Sequence, residues 1–154
     1  MERRDFLARS GTTVVLIAAS TDLTTAQAQS SPPWNKAAFD AKSLLEVAKS
    51  MGATSTPTES KDLLMQAPEI AENGNVVRIG VQSNLANTTQ ISFVVEKNPS
   101  ALAALFNIPV GSDAHVSINL KMGQSSHVYA LVKAGDKFFY AVKEVKVTLG
   151  GCGG

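Results

Sequence analysis

The sequence predicts a mostly β protein, an antiparallel sandwich preceded by a helix, and three observations support this. The chain has 154 residues, a length that suits one domain. Apolar residues make up 44% and charged residues 18%, which is the balance of a globular protein rather than a disordered one. After one helical segment, apolar residues alternate with polar ones in short runs separated by turn residues, which is typical of an antiparallel sandwich.

The first 28 residues have the layout of an export signal and lie outside the predicted fold. Arg3 and Arg4 precede "DFL", a modestly apolar run and the small-x-small cleavage motif Ala26-Gln27-Ala28. Paired arginines at this position resemble the twin-arginine export signal, which predicts a periplasmic protein. Because no basic residue lies between the apolar run and the cleavage motif, an ordinary secretory signal remains an alternative.

The mature chain is expected to form a sandwich domain over residues 29–149, which begins with one helix. This helix is predicted over "WNKAAFDAKSLLEVAKSMG" (34–52), where Gly52 is a natural stop. Residues at helical spacing form an imperfect apolar face, which could cover one side of the sandwich or dock elsewhere. The members of this face are Ala38, Phe39, Lys42, Leu45, Val47, Ala48 and Met51.

The first predicted strand follows a polar, turn-rich stretch, "ATSTPTESKD" (53–62), and a segment with two turn signals. Pro68 and the pair Asn73-Gly74 mark these turns. Val77, Ile79 and Val81 then alternate with Arg78, Gly80 and Gln82. This alternation predicts a half-buried strand.

Apolar residues continue to occur at about every second position through the rest of the chain. "QISFVVEKN" (90–98) and "HVSINLKM" (115–122) are predicted strands. Between them, "ALAALFNI" (101–108) is ambiguous between a short helix and a strand, because periodicity alone does not separate the two. "SHVYALVKAGDKFFYAVKEVKVTL" (126–149) predicts two strands joined by a tight hairpin at 134–137.

The body of the chain predicts neither a catalytic site nor a metal site. Its net charge of +1 argues against nucleic acid or an acidic membrane surface as partner, since both need clustered Lys and Arg. His115 and His127 are the two histidines, and a metal site would need further ligands nearby, so we interpret both as exposed strand residues. Glu69, Glu72 and Glu96 are interpreted as solvated surface.

The last five residues, "GGCGG" (150–154), place the only cysteine, Cys152, between two pairs of glycines. Glycine carries no side chain and adopts many backbone conformations, so the segment is predicted to be a mobile arm. Fully extended, five residues reach at most about 17 Å. The glycines of the arm are Gly150, Gly151, Gly153 and Gly154.

The thiol of Cys152 has three interpretations. A carrier would offer a group bound to the sulfur to several enzymes in turn, and the glycines would let the arm enter narrow clefts. A structural or binding module would instead form a permanent disulfide with a partner, because a lone cysteine in an exported protein suggests pairing or a reactive thiol. A thiol enzyme is disfavoured, because no base or second cysteine accompanies Cys152.

Several stretches resemble the SoxY family, the sulfur-carrier subunits of the bacterial thiosulfate-oxidising (Sox) system. The terminal "GGCGG" after the strand "KEVKVTL" is the most specific mark, and the twin-arginine leader agrees with it. The supporting internal stretches are "KMGQSSHVYALVKAGDKFFYA", "VVEKNPSALAALF" and "APEIAENGNVV". Together they extend over essentially the whole mature chain.

The resemblance implies an immunoglobulin-like sandwich that carries its sulfur substrate on Cys152 and holds no cofactor. It also implies partners: a heterodimer with a SoxZ subunit, and enzymes that act on the carried group. These are a haem protein that attaches thiosulfate oxidatively, a manganese-dependent hydrolase that releases sulfate, and in many organisms a molybdenum-haem sulfur dehydrogenase. The chain would then be a substrate carrier and not an enzyme.

Overall fold

A computed structural model describes residues 35–148 of the chain. The predicted export signal and the terminal segment lie outside this range. The described elements are helices α1 (Lys36–Asp40) and α2 (Leu44–Ser50), and strands β1 (Thr58–Glu59), β2 (Leu63–Gln66), β3 (Ile70–Ala71), β4 (Val77–Ser83), β5 (Thr88–Val95), β6 (Leu102–Asn107), β7 (His115–Leu120), β8 (Ser126–Ala134) and β9 (Lys137–Val147).

The strands form two sheets that face each other. The larger sheet has the order β1-β9-β8-β5-β6, with β3 also paired to β9, and the smaller has the order β2-β4-β7. The pairs are antiparallel except those that β1 and β3 make with β9, which are parallel. The prediction of a mostly β, antiparallel sandwich with a helical segment at its start is therefore confirmed.

The main core lies between the two sheets and is built by the predicted alternation. Val77, Ile79 and Val81 of β4 are at most 1% exposed, and they face Ile91 and Phe93 of β5, which are fully buried. Burying large aliphatic or aromatic side chains stabilises a fold by about 1.5–3 kcal/mol each, so this interface dominates the stability. The ambiguous stretch 101–108 contains strand β6, paired antiparallel to β5.

The two helices cover part of the outer face of the larger sheet and form a second core. Val94 and Leu131 on that face are fully buried together with Val47 of α2. The part of β5 from Ile91 to Val95 is therefore buried on both faces, including Ser92, whose hydroxyl lies 3.7 Å from the sulfur of Met51. The alternating pattern of β5 did not reveal this, because a small serine fits either environment.

The prediction of a single helix over 34–52 is wrong for its described part, because the helix is interrupted at Ala41. Ala41 is extended (φ −61°, ψ 144°), and Ser43 starts a new helix by accepting a hydrogen bond from the Glu46 N–H. The Glu46 carboxylate in turn accepts from the Lys42 N–H at 2.8 Å. Ser followed three residues later by Glu is a start signal for a helix in the sequence. Leu45, predicted on the apolar face, is 40% exposed.

Gly74 lies where the turn before β4 meets the end of β9. Its carbonyl oxygen accepts a hydrogen bond from the Met122 N–H at 2.7 Å. A Cβ atom at Gly74 would overlap the Met122 carbonyl oxygen and lie 2.8 Å from Cγ1 of Val147. Only a residue without a side chain allows this approach.

We expect Gly74→Ala to lower the free energy of unfolding by about 1–3 kcal/mol, the usual range for overpacking a tight site. Urea denaturation measures this change. Gly123→Ala is the matched control, since a Cβ there would meet no atom within 4 Å. Equal stability of the two variants would contradict the close approach at Gly74.

Candidate functional site

The predicted functional residues lie outside the described range, and β9 is the strand that leads toward the terminal segment. Cys152, the arm glycines Gly150, Gly151, Gly153 and Gly154, and the export residues Arg3 and Arg4 are all beyond residues 35–148. What the structure does describe is the end of β9, which precedes the terminal segment directly. Its geometry determines where that segment starts.

The end of β9 is held on both of its edges. Val145 pairs with Ser126 of β8, while Lys146 and Val147 pair with β3 on the other edge. Beyond the strand, the Thr148 N–H donates to the Ala71 carbonyl at 3.1 Å. The terminal segment therefore starts from a point fixed in the sandwich.

A cleft of about 470 Å³ opens beside this point. Val147 and Thr148 form part of its wall, and Lys97 and Lys121 bring two positive charges to it. Its lining includes no carboxylate, and neither lysine belongs to an ion pair among the residues that the structure describes. The cleft can accommodate an anionic group, since unpaired lysines favour negative charge nearby.

Hydrogen bonds between the loops fix the walls of this cleft. The Asn98 side-chain amide donates to the Lys121 carbonyl at 2.8 Å, and the Gln124 amide donates to the Lys97 carbonyl at 3.4 Å. The Val147 N–H donates to the Ser125 hydroxyl at 2.9 Å. The lysine side chains thus extend from a backbone that is held in place.

The two histidines lie in different sheets and do not share a site. His115 begins β7 and is exposed, as predicted. His127, also exposed, has its Nδ1 atom 3.4 Å from a carboxylate oxygen of Glu96. Sequence reasoning missed this pair because it depends on how β5 and β8 align, which places the Glu96 N–H 3.2 Å from the His127 carbonyl oxygen.

A small aromatic cluster adjoins His127 on the outer face of the larger sheet. The rings of Tyr129 and Tyr140 meet edge to face with centroids 5.9 Å apart, and His127 lies 6.4 Å from Tyr129. Burial raises the pKa of Tyr129, and the charges of Glu96 and Tyr140 raise it further. The Tyr129 phenol therefore keeps its proton at neutral pH and does not act as a base.

The structure brings the predicted surface acids to the surface and gathers none of them into a metal site. Glu69, Glu72 and Glu96 are all exposed. Within residues 35–148, no group of three or more His, Cys, Asp and Glu side chains could hold a metal ion. Over the same range, no helix has the length and apolar character needed to cross a bilayer.

A family model described as "Sulfur oxidation protein SoxY" matches residues 47–152. The match begins within α2, includes all nine described strands and ends on Cys152. A search of curated proteins found no match.

Among solved structures, the sulfur carrier protein SoxY from Chlorobium limicola f thiosulfatophilum matches with 33% sequence identity and a TM-score of 0.63. The match covers 71% of this chain and 96% of that one, and it agrees with the predicted immunoglobulin-like fold class. A superoxide reductase (neelaredoxin) from Ignicoccus hospitalis matches with 20% identity and a TM-score of 0.51, over 58% of this chain and 82% of that one. At that identity the second likeness shows the fold alone.

Proposed function

Since the chain belongs to the SoxY family of sulfur oxidation proteins, we propose that it carries sulfur intermediates covalently on Cys152 during thiosulfate oxidation. The observation that carries the proposal is the extent of the family match, which runs to Cys152 itself. The solved relative, 33% identical, is a sulfur carrier protein by its description. The chain is thus proposed to be a carrier subunit and not a catalyst.

In this proposal, Cys152 only forms and breaks bonds between its own sulfur and the sulfur of the carried group. Attachment joins its sulfur to the sulfane sulfur of thiosulfate, while the thiol loses its proton and two electrons pass to a haem protein. Hydrolysis of the bond to the sulfonate group then releases sulfate and leaves a persulfide. A sulfur dehydrogenase oxidises that sulfur, and a second hydrolysis restores the thiol. The haem and the manganese belong to the visiting enzymes, so this chain needs no cofactor.

The geometry around the end of β9 supports a carrier. A fixed starting point at Thr148 limits where the thiol can travel, since four further residues reach at most about 14 Å. The cargo after attachment is an anion, and the neighbouring cleft carries Lys97 and Lys121. A cargo near these lysines would gain favourable electrostatic energy, which is modest because both lysines are exposed.

The proposal extends to location and assembly. The twin-arginine motif at Arg3 and Arg4 supports export to the periplasm, where the carrier would work. This export route usually moves folded cargo, so a companion without its own signal could leave the cell bound to this chain. We propose a SoxZ subunit as that companion, forming a heterodimer with the sandwich.

Intact mass measured under non-reducing conditions tests the carrier proposal against a permanent disulfide. After incubation with thiosulfate and the haem enzyme, we expect adducts on the C-terminal peptide in steps of sulfur or of thiosulfate. Treatment with a reductant should return the mass of the free thiol, which serves as the control. A fixed covalent protein partner on Cys152, with no such adducts, would favour the structural module instead.

A further inference from the structure

The pair Asn73-Gly74 has a chemistry of its own beyond marking a turn. An asparagine followed by glycine can lose ammonia from its side chain, because the next backbone nitrogen can attack the carboxamide and glycine adds no side chain to hinder it. The chain contains this pair once. In the structure Asn73 is exposed and begins the turn that leads from β3 to β4. Water therefore has access to its side chain.

The turn holds the Asn73 carboxamide against the backbone that follows it. Its Oδ1 atom accepts a hydrogen bond from the Asn75 N–H at 3.0 Å, and the Asn73 carbonyl oxygen accepts one from the Val76 N–H at 3.2 Å. The ring that the first of these bonds closes contains both the carboxamide carbon of Asn73 and the nitrogen of Gly74. The two atoms that would react are thus part of one closed turn.

The same hydrogen bond favours attack on the carboxamide. As the Gly74 nitrogen adds to Cγ of Asn73, negative charge develops on Oδ1, and the Asn75 N–H already donates to that atom. A donor aimed at a developing oxyanion lowers the barrier of acyl transfer. Within residues 35–148 the Gly74 N–H donates no hydrogen bond, so none has to be broken before this nitrogen loses its proton.

The other asparagines are less suited to the reaction. Asn98 precedes Pro99, whose nitrogen carries no proton. The rest precede residues with a side chain, which hinders ring closure, and they are Asn35, Asn75, Asn84, Asn87, Asn107 and Asn119. Asn75 lies in the same turn as Asn73 and precedes a valine, so it serves as an internal comparison.

We propose that Asn73 is a site of spontaneous modification, at which the side chain cyclises onto Gly74 and is converted to aspartate and isoaspartate. The Gly74 nitrogen gives up its proton and bonds to Cγ, while the amide group of Asn73 takes up a proton and leaves as ammonia. Water then opens the cyclic imide. Breaking the bond from the nitrogen to Cγ gives aspartate, and breaking its bond to the main-chain carbonyl carbon gives isoaspartate. The reaction consumes only water, and the inference does not depend on the proposed function.

Both products change the charge beside the cleft at the end of β9. Gly74 and Asn75 line this cleft together with Lys97 and Lys121. Asn73 directly precedes these lining residues and is neutral, whereas aspartate and isoaspartate each carry a carboxylate. The modification therefore adds negative charge next to a cleft whose lining includes two lysines and no carboxylate.

Isoaspartate also lengthens the backbone by one atom directly before Gly74. Gly74 is packed so closely that a Cβ would overlap the Met122 carbonyl oxygen, and its own carbonyl accepts from the Met122 N–H at 2.7 Å. The added atom must displace Gly74 or the preceding residues, which lead back to Ala71, whose carbonyl accepts from the Thr148 N–H. The isoaspartate form should therefore hold the end of β9 less firmly.

Incubation of the purified chain in warm, mildly alkaline buffer, followed by peptide mass spectrometry, tests the proposal. The tryptic peptide 62–78 should gain the mass difference between water and ammonia, with isoaspartate formed at position 73 and Asn75 unchanged. Direct hydrolysis of the side chain gives aspartate alone, so isoaspartate identifies the cyclic route. Asn73→Ser should abolish the gain while it keeps a side-chain oxygen for the Asn75 N–H.

A sample unfolded in urea shows what the fold contributes. We expect the folded chain to be modified at least as fast as the unfolded one, because the turn already holds the reacting groups together. Slower modification in the folded chain, aspartate as the sole product, or a mass gain that persists in Asn73→Ser would each overturn the inference. Amide hydrogen exchange in residues 146–148 should be faster in the isolated isoaspartate form than in the unmodified chain, and equal exchange would refute the effect on the end of β9.

Discussion

Cys152→Ser is expected to abolish thiosulfate-dependent electron transfer in the reconstituted system. A serine oxygen cannot form the bond to the sulfane sulfur of thiosulfate, and the chain has no other cysteine to replace the thiol. The free energy of unfolding should stay within about 0.5 kcal/mol of the parent value, because the glycines around Cys152 predict a mobile arm. Electron transfer to the haem protein and urea denaturation measure the two quantities.

A relocated thiol separates the chemistry of Cys152 from its position. The double variant Cys152→Ser, Ser55→Cys places one cysteine on the exposed loop before β1. We expect it to react with a small thiol reagent and to give no electron transfer. Activity retained by the single variant would refute the carrier proposal. Activity rescued by the relocated cysteine would show that the terminal position does not matter.

Replacing both Gly151 and Gly153 with valine is the second change with a large expected effect. Valine restricts the backbone, and its branched side chain widens a segment that we expect to enter narrow active sites. Turnover by the visiting enzymes should fall about tenfold or more, because small misplacements of a reacting group slow chemistry strongly. Turnover with the corresponding alanine variant, whose side chains are smaller, should lie between turnover with the parent chain and turnover with the valine variant.

The control for the glycine variants is the rate at which a small reagent labels Cys152. We expect this rate to stay near the parent value while turnover falls. If both rates fall together, the glycines influence the thiol itself rather than its delivery. If neither rate falls, the glycines are not needed for delivery of the thiol, and the interpretation of the segment as a mobile arm that enters narrow clefts is wrong.

The elements best predicted from the sequence are those with strong local signals. The hairpin between β8 and β9 turns at Gly135, whose φ of +59° suits glycine, and its position follows from the turn chemistry alone. The strands with clean alternation, β4, β5 and β7, were also found. Strands β1, β2 and β3 were missed. Strands β1 and β3 have two residues each and depend on pairing with β9, and β2 has four residues that pair with β4.

The less predictable features depend on contacts between distant segments. The break between α1 and α2 was missed although the signal Ser43-x-x-Glu46 is in the sequence, because the apolar spacing continues through it. The lysines of the cleft, Lys97 and Lys121, come from two loops that adjoin only in the fold. By contrast, Cys152 was identified from the sequence alone, and its function as attachment site stays a prediction.

The pairing of β9 on both edges also has a mechanical consequence. A pull applied to the end of β9 along the strand axis would run roughly at right angles to its hydrogen bonds with β8. A load in this direction is shared by many bonds at once, instead of opening them one after another from the end. The parallel pairs with β1 and β3 add resistance along the other edge. Under the proposed function, in which the segment enters one active site after another, these pairings would let the sandwich withstand repeated tension.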